Sequence, residues 1–419
     1  MNTFTGFATL FLIAVSLPGQ SVTLPTNSEY EELPELKASE ILRDTILNGP
    51  HHKVREEVTT ESGANRFTIE SHYGIFIAEG NAMLVRRVDE INAIARLKDV
   101  SKTDEFKEAL KKAAKSPLNT AKALVTDPAK TLSSVPKGLK KFMKRTGESI
   151  KSIGTKKDSE EGDANRMQQI IGFTDAKRKV AISLGVDPYS TNDVLQKELD
   201  DITWANFAGG LVFSVGTMGI GGGVGTALTA TQVTGSFEQV LREKNPTDLK
   251  IMNRKILLGL GASSEDTERF LKNSAFSPSA QTAFALNLQA LDGVANRGAF
   301  VRLAGTTSSS EPDAIFCVQT AALMGNLHKG DKPLARIEML GDFPICIAKD
   351  GTTVVALQWD YAAYTELADK FSRDVDELTK DKGSKRLIAL SGIVSPRLRQ
   401  ELEARGDTVQ DKLAPGPLK

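Results

Sequence analysis

Residues 202 to 237 contain no charged side chain, and the inner stretch "GGLVFSVGTMGIGGGVGTAL" (209–228) holds eight glycines. Few local structures accept such a run. Small residues recur at Gly209, Gly216, Gly223 and Ala230, and G-x-x-x-G pairs fall at Gly219/Gly223 and Gly221/Gly225. On a helix these spacings line small residues along one side, so a second backbone can approach closely in lipid or in a protein core. The run is long enough to span a bilayer. Against a span, glycine and threonine gain little on transfer into lipid. Against an exposed helix, eight interior glycines cost about 8 kcal/mol relative to alanine. The triplet 221–223 divides the run into helices near 194–217 and 224–243. We expect a buried helix–turn–helix packing element with Gly209, Gly216, Gly219 and Gly223 at the contact. A membrane-inserting hairpin and a flexible or irregular loop are the alternatives.

A phosphate-binding loop does not fit. G-x-G-x-x-G patterns begun at Gly219, Gly221 or Gly223 end at Val224, Thr226 and Leu228, and no lysine occurs from 202 to 237 to complete a P-loop. Other chemistry is equally unsupported. The four histidines are His51, His52, His72 and His328, with no H-E-x-x-H. No G-x-S-x-G nucleophile elbow occurs; Ser391 follows a strand and Ser395 reads as a helix cap. The polar cluster Asp187, Ser190, Thr191, Asn192 and Asp193 lacks the spacing of a calcium loop and reads as a turn followed by an N-cap. The sequence assigns no catalytic residue, no metal ligand and no cofactor.

The N-terminus points to export. Residues 7–17, "FATLFLIAVSL", form an uncharged apolar run of 11, ended by Pro18 and Gly19, with small residues Gly19 and Ser21 placed for cleavage near Ser21. The expectation is a signal peptide over 1–21 and a periplasmic or secreted protein. An uncleaved N-terminal membrane anchor is the alternative, since no Lys or Arg precedes the run. In an oxidising compartment the two cysteines, Cys317 and Cys346, can pair, and a disulfide is expected, with two buried thiols as the alternative.

Net charge is zero, but it is unevenly placed: residues 101–157 carry 15 Lys or Arg against 5 Asp or Glu. Within them, 137–153 reads as an amphipathic helix. Leu139, Phe142, Met143, Ile150 and Ile153 share one face, and Lys137, Lys140, Lys141, Lys144, Arg145 and Lys151 occupy the rest. Only two aromatics, Phe106 and Phe142, lie in the basic region, too few for base stacking, and an exported chain rarely meets nucleic acid. An anionic envelope surface, through peripheral contact, or an unknown protein is the better-matched partner. The same pattern also suits an ordinary helix with its lysines in solvent.

The remaining pattern gives an α+β, predominantly helical fold. A polar tether (22–50) leads into a small N-terminal antiparallel β unit, a helix over 81–99 and the basic helices, together 51–153. A linker (154–163) precedes a helical domain (164–305) containing the glycine run. A C-terminal α+β region (306–413) follows, with Asp350-Gly351 as a hairpin turn, and then a short tail (414–419). The functional expectation is an exported envelope interaction or scaffold protein docking on an anionic surface through its basic helices. A membrane-active protein using 202–237, or an envelope enzyme with a site assembled from scattered residues, are the alternatives.

Overall fold

The computed structural model describes residues 29–115, 161–212, 233–380, 385–414 and 416–419, and only the backbone of 161–170. The fold is α+β and predominantly helical, with sheets near both ends and helices between. The N-terminal sheet is built from β1 (Leu36–Lys37), β2 (His52–Val54), β3 (Glu57–Glu61), β4 (Ala64–Ser71) and β5 (Gly74–Glu79). All its pairings are antiparallel; β4 takes β3 and β2 along one edge and β5 along the other. Phe67 and Ile69 alternate with exposed Arg66 and Glu70 along β4, as a half-buried strand requires. Two short helices, α1 (Ala38–Ile41) and α2 (Asp44–Leu47), flank this sheet.

The next helix, α3 (Asn81–Ser101), is buried at eleven positions, and α4 (Asp104–Ala114) follows it. With α5 (Glu161–Ser183) and α6 (Asp193–Gly209), these form one apolar cluster around Ile94, Leu97, Leu184, Leu199 and Ile202. Residues 161–163, expected to end a linker, belong to α5. Five helices succeed: α7 (Thr234–Glu243), α8 (Pro246–Gly259), α9 (Ser264–Lys272), α10 (Pro278–Gln289) and α11 (Arg297–Thr307). Every residue of α10 from Ser279 to Leu288 is buried. A helix enclosed on all sides is a core element.

The C-terminal region begins with α12 (Glu311–Lys329), opened by a capping box between Ser310 and Asp313. Its main sheet runs β12-β10-β8-β7-β6, using β6 (Leu334–Leu340), β7 (Phe343–Ala348), β8 (Thr353–Leu357), β10 (Arg386–Leu390) and β12 (Asp407–Gln410). The first three strands form an antiparallel meander. α13 (Glu366–Thr379) and α14 (Pro396–Ala404) are the crossovers that make β8, β10 and β12 parallel. β9 (Tyr361–Ala362) and β11 (Ile393–Val394) pair separately. All of β8 is buried because both faces are covered. Val354 and Ala356 join the cluster containing α10 and α12, while Val355 and Leu357 join the one containing α13 and α14.

One buried carboxylate ties the two sheets together. Asp360, just past β8, is 3% exposed. Its Oδ2 accepts from the backbone N–H of Asn65 and of Asn81, each at 3.0 Å, so it sits at the N-terminus of α3 and at the start of β4. The Asp360 N–H donates to the Gly63 carbonyl at 2.7 Å. Gly392 must be glycine here, since a Cβ would lie 2.1 Å from the Asp360 carbonyl oxygen. Burial outweighs the two N–H bonds to Oδ2 and a third from the Gln358 amide to Oδ1, and lifts the Asp360 carboxyl to about 6.

Candidate functional site

Arg86 and Arg87 are consecutive on α3, in a helix otherwise largely enclosed by protein. A charge on such a helix needs partners, and the loop before α6 supplies them. Asp187 begins a turn in which its Oδ1 accepts from the Tyr189 N–H at 2.9 Å. Its Oδ2 accepts from Arg86 Nη2 at 2.8 Å and from the Ser279 hydroxyl on α10. Arg87 Nη1 donates to Glu90 Oε2 at 2.6 Å, and Glu90 also accepts from Asn192 Nδ2 at 2.9 Å and from the Ser190 hydroxyl. Arg87 Nη2 donates to Thr191 Oγ1 at 2.9 Å, and that hydroxyl donates to Glu311 Oε2 at 2.8 Å. One connected polar network therefore joins α3, the loop at 187–192, α10 and the first residue of α12.

The network borders an open pocket of about 400 Å³. Arg86 and Thr191 line one side. Phe276 and the start of α10 line another, and Ser310, Glu311 and Ile315 at the start of α12 line a third. The volume lies in the range of small-molecule sites. Arg86 Nη1 and Glu311 Oε1 face one another at 4.0 Å, with Arg86 10% and Glu311 27% exposed. The chain's most displaced carboxyl on this helix, Asp89, is raised by burial and by Glu90 to about 8, and it is not among the residues lining the pocket.

Comparison with known protein families, with curated proteins and with solved structures gives no match. The site must be read on its own chemistry. As built, it positions opposite charges and hydroxyls around an open volume with an apolar wall, an arrangement suited to binding.

The residues singled out from sequence fare differently. Lys137, Lys140, Lys141, Lys144, Arg145 and Lys151 lie outside the described residues, as do Gly216, Gly219, Gly223 and the expected signal peptide over 1–21. Gly209 is described. The helix expected over 194–217 stops there as the end of α6, because Gly210 takes a left-handed cap (φ +73°) whose N–H returns to the Ala205 carbonyl. Gly209 packs on the α4 backbone, where a Cβ would come within 2.0 Å of the Ala109 carbonyl oxygen. Gly209→Ala should cost about 1–3 kcal/mol in urea unfolding, as overpacking does; an unchanged midpoint would contradict that contact. Among the described residues, no helix is long and apolar enough to cross a membrane.

The disulfide between Cys317 and Cys346 is not formed. Both are free, buried thiols, one within α12 and one in β7. Each packs as a small apolar residue in the main core, and burial pushes both thiols up to about 12. Among the described residues no group of His, Cys, Asp and Glu could hold a metal ion. His52 is buried, with Nε2 2.9 Å from the Ile46 carbonyl oxygen, and burial lowers its pKa.

Sequence reading placed Asp187, Ser190, Thr191 and Asn192 in a turn and cap. Asn192 does cap α6, accepting from the Val194 and Leu195 N–H groups. Arg86, Arg87 and Glu311 carry no motif that marks them in the sequence. The available signal was a helix apolar on several sides, "NAMLVRRVDEINAIARL", carrying two adjacent arginines that could not all face water.

Proposed function

We propose that the chain is an exported interaction protein of the cell envelope and that the pocket between α3, α10 and α12 is where it holds a small ligand. The observation that carries this reading is the pre-built pocket, with Arg86 on α3 and Glu311 on α12 held by Asp187 and Thr191 of the loop before α6. Such a site recognises without reorganising, which keeps the entropic cost of binding low. In this reading the basic stretch at 101–157, with Lys137, Lys140, Lys141, Lys144, Arg145 and Lys151, is the docking face for an anionic surface. The support for that part is the local charge excess.

The test is a thermal-shift screen of small polar metabolites against the full chain and Ser274→Trp. Ser274 is exposed and lines the pocket, so an indole there is expected to obstruct it. A ligand present at about 100 times its Kd stabilises by about 2.7 kcal/mol. We expect at least one metabolite to raise Tm by several degrees in the native chain and not in Ser274→Trp. Shifts of equal size in both proteins, or none in either, would contradict the reading.

A further inference from the structure

We infer that the pocket takes a free α-amino acid in its zwitterionic form, the carboxylate at Arg86 and the ammonium at Glu311; this rests on the pocket being the recognition site. Asp187 holds Arg86 through Nη2 and leaves Nη1 as the end nearest Glu311 Oε1. Thr191 holds Glu311 through Oε2 and leaves Oε1 as the end nearest Arg86. These two free ends stand 4.0 Å apart. A charge-assisted hydrogen bond closes at about 2.7–2.9 Å, so the pair is close but not hydrogen-bonded.

The charges around that gap select among ligand classes. A simple anion meets the Glu311 carboxylate. A simple cation meets Arg86, Arg87 at 3.8 Å from Glu311, and the positive N-terminal ends of α10 and α12. An apolar molecule leaves both free ends unmet in a partly desolvated site. A zwitterion answers both at once: its carboxylate accepts from Nη1 and its ammonium donates to Oε1. Phe276, Pro278, Ala280, Ala314 and Ile315 give apolar surface beside Tyr189 and several serines, a mixed wall that accepts an apolar side chain on that amino acid.

The experiment is isothermal titration calorimetry of the full chain with L-alanine, L-leucine and L-phenylalanine. The two halves of leucine, 4-methylpentanoate and 3-methylbutylamine, are the comparators. At least one amino acid should bind at a single site, and each half should bind at least tenfold more weakly than leucine. Glu311→Gln keeps the side chain's shape and removes its charge. It should weaken leucine at least tenfold while binding 4-methylpentanoate no more weakly than the native chain does. A residue that only supports the fold would weaken both together. No binding by all three amino acids, or halves that bind as well as leucine, would overturn the inference. So would a Glu311→Gln chain with an unchanged preference for leucine over 4-methylpentanoate. If these results are negative while other metabolites still stabilise the native chain and not Ser274→Trp, the zwitterion inference falls and the pocket reading stands.

Discussion

Asp360→Ala is expected to destabilise the protein by about 2–4 kcal/mol at pH 7, read by urea unfolding. The substitution leaves the Asn65 and Asn81 N–H groups buried without an acceptor, and each unmade bond costs about 1–3 kcal/mol. Removing a buried carboxylate returns part of that loss, which brings the upper end of the range down from about 6 kcal/mol. Asp360→Asn behaves differently. Its side-chain carbonyl still accepts both N–H groups, and it has no proton to bind. The native carboxyl is raised from 3.8 to about 6 in the folded protein. The folded state therefore holds this proton more tightly than the unfolded chain. The group's stabilising contribution is full below pH 4 and falls as pH rises to 6, by about 3 kcal/mol for a shift of this size. Subtracting the Asp360→Asn stability curve from the native one should isolate that fall between pH 4 and 6. A flat difference curve, or an Asp360→Ala chain as stable as native, would contradict the placement of this carboxylate between the two sheets.

Arg86→Met is the second large effect. It leaves Asp187, whose side chain is 2% exposed, facing the Ser279 hydroxyl and the Tyr189 N–H without a counter-charge. Breaking a buried ion pair from one side costs about 3–5 kcal/mol. Asp187→Asn added to Arg86→Met should recover most of the loss, because the remaining amide needs hydrogen bonds and no cation. Denaturant unfolding of the two single variants and the double variant forms a cycle with a coupling of more than 1 kcal/mol. Additive losses would mean that the pair acts independently. They would remove the argument that Asp187 holds one end of Arg86 and frees the other.

Much of the C-terminal fold was legible in the sequence because its signals are local. Asp350-Gly351 turns β7 into β8, with Gly351 at φ +84°. Pro312 and the Ser310–Asp313 pair mark the start of α12. The N-terminal β unit was legible for the same reason, since the alternation of buried Phe67 and Ile69 with exposed Arg66 and Glu70 in β4 is local too. The end of α6 was misread because the small-residue spacing continues beyond Gly209, whereas a single left-handed glycine at 210 is enough to stop a helix. The cysteines were misread because compartment chemistry says whether a disulfide survives, while pairing depends on where α12 and β7 bring the two thiols. The pocket was not legible at all. Its residues come from α3, from the loop at 187–191 and from the starts of α10 and α12, segments up to about 230 residues apart. Arg86 and Glu311 look like surface charges until the fold brings them to 4.0 Å.

The pocket as recognition site is tested most directly by native mass spectrometry of the full chain beside Ser274→Trp, each equilibrated with the metabolites that stabilise the native chain. The native chain should retain one small molecule per protein, and Ser274→Trp should be free of it at the same concentration. Equal retention by both proteins would contradict the pocket as the binding site and return the search to the basic segment at 101–157.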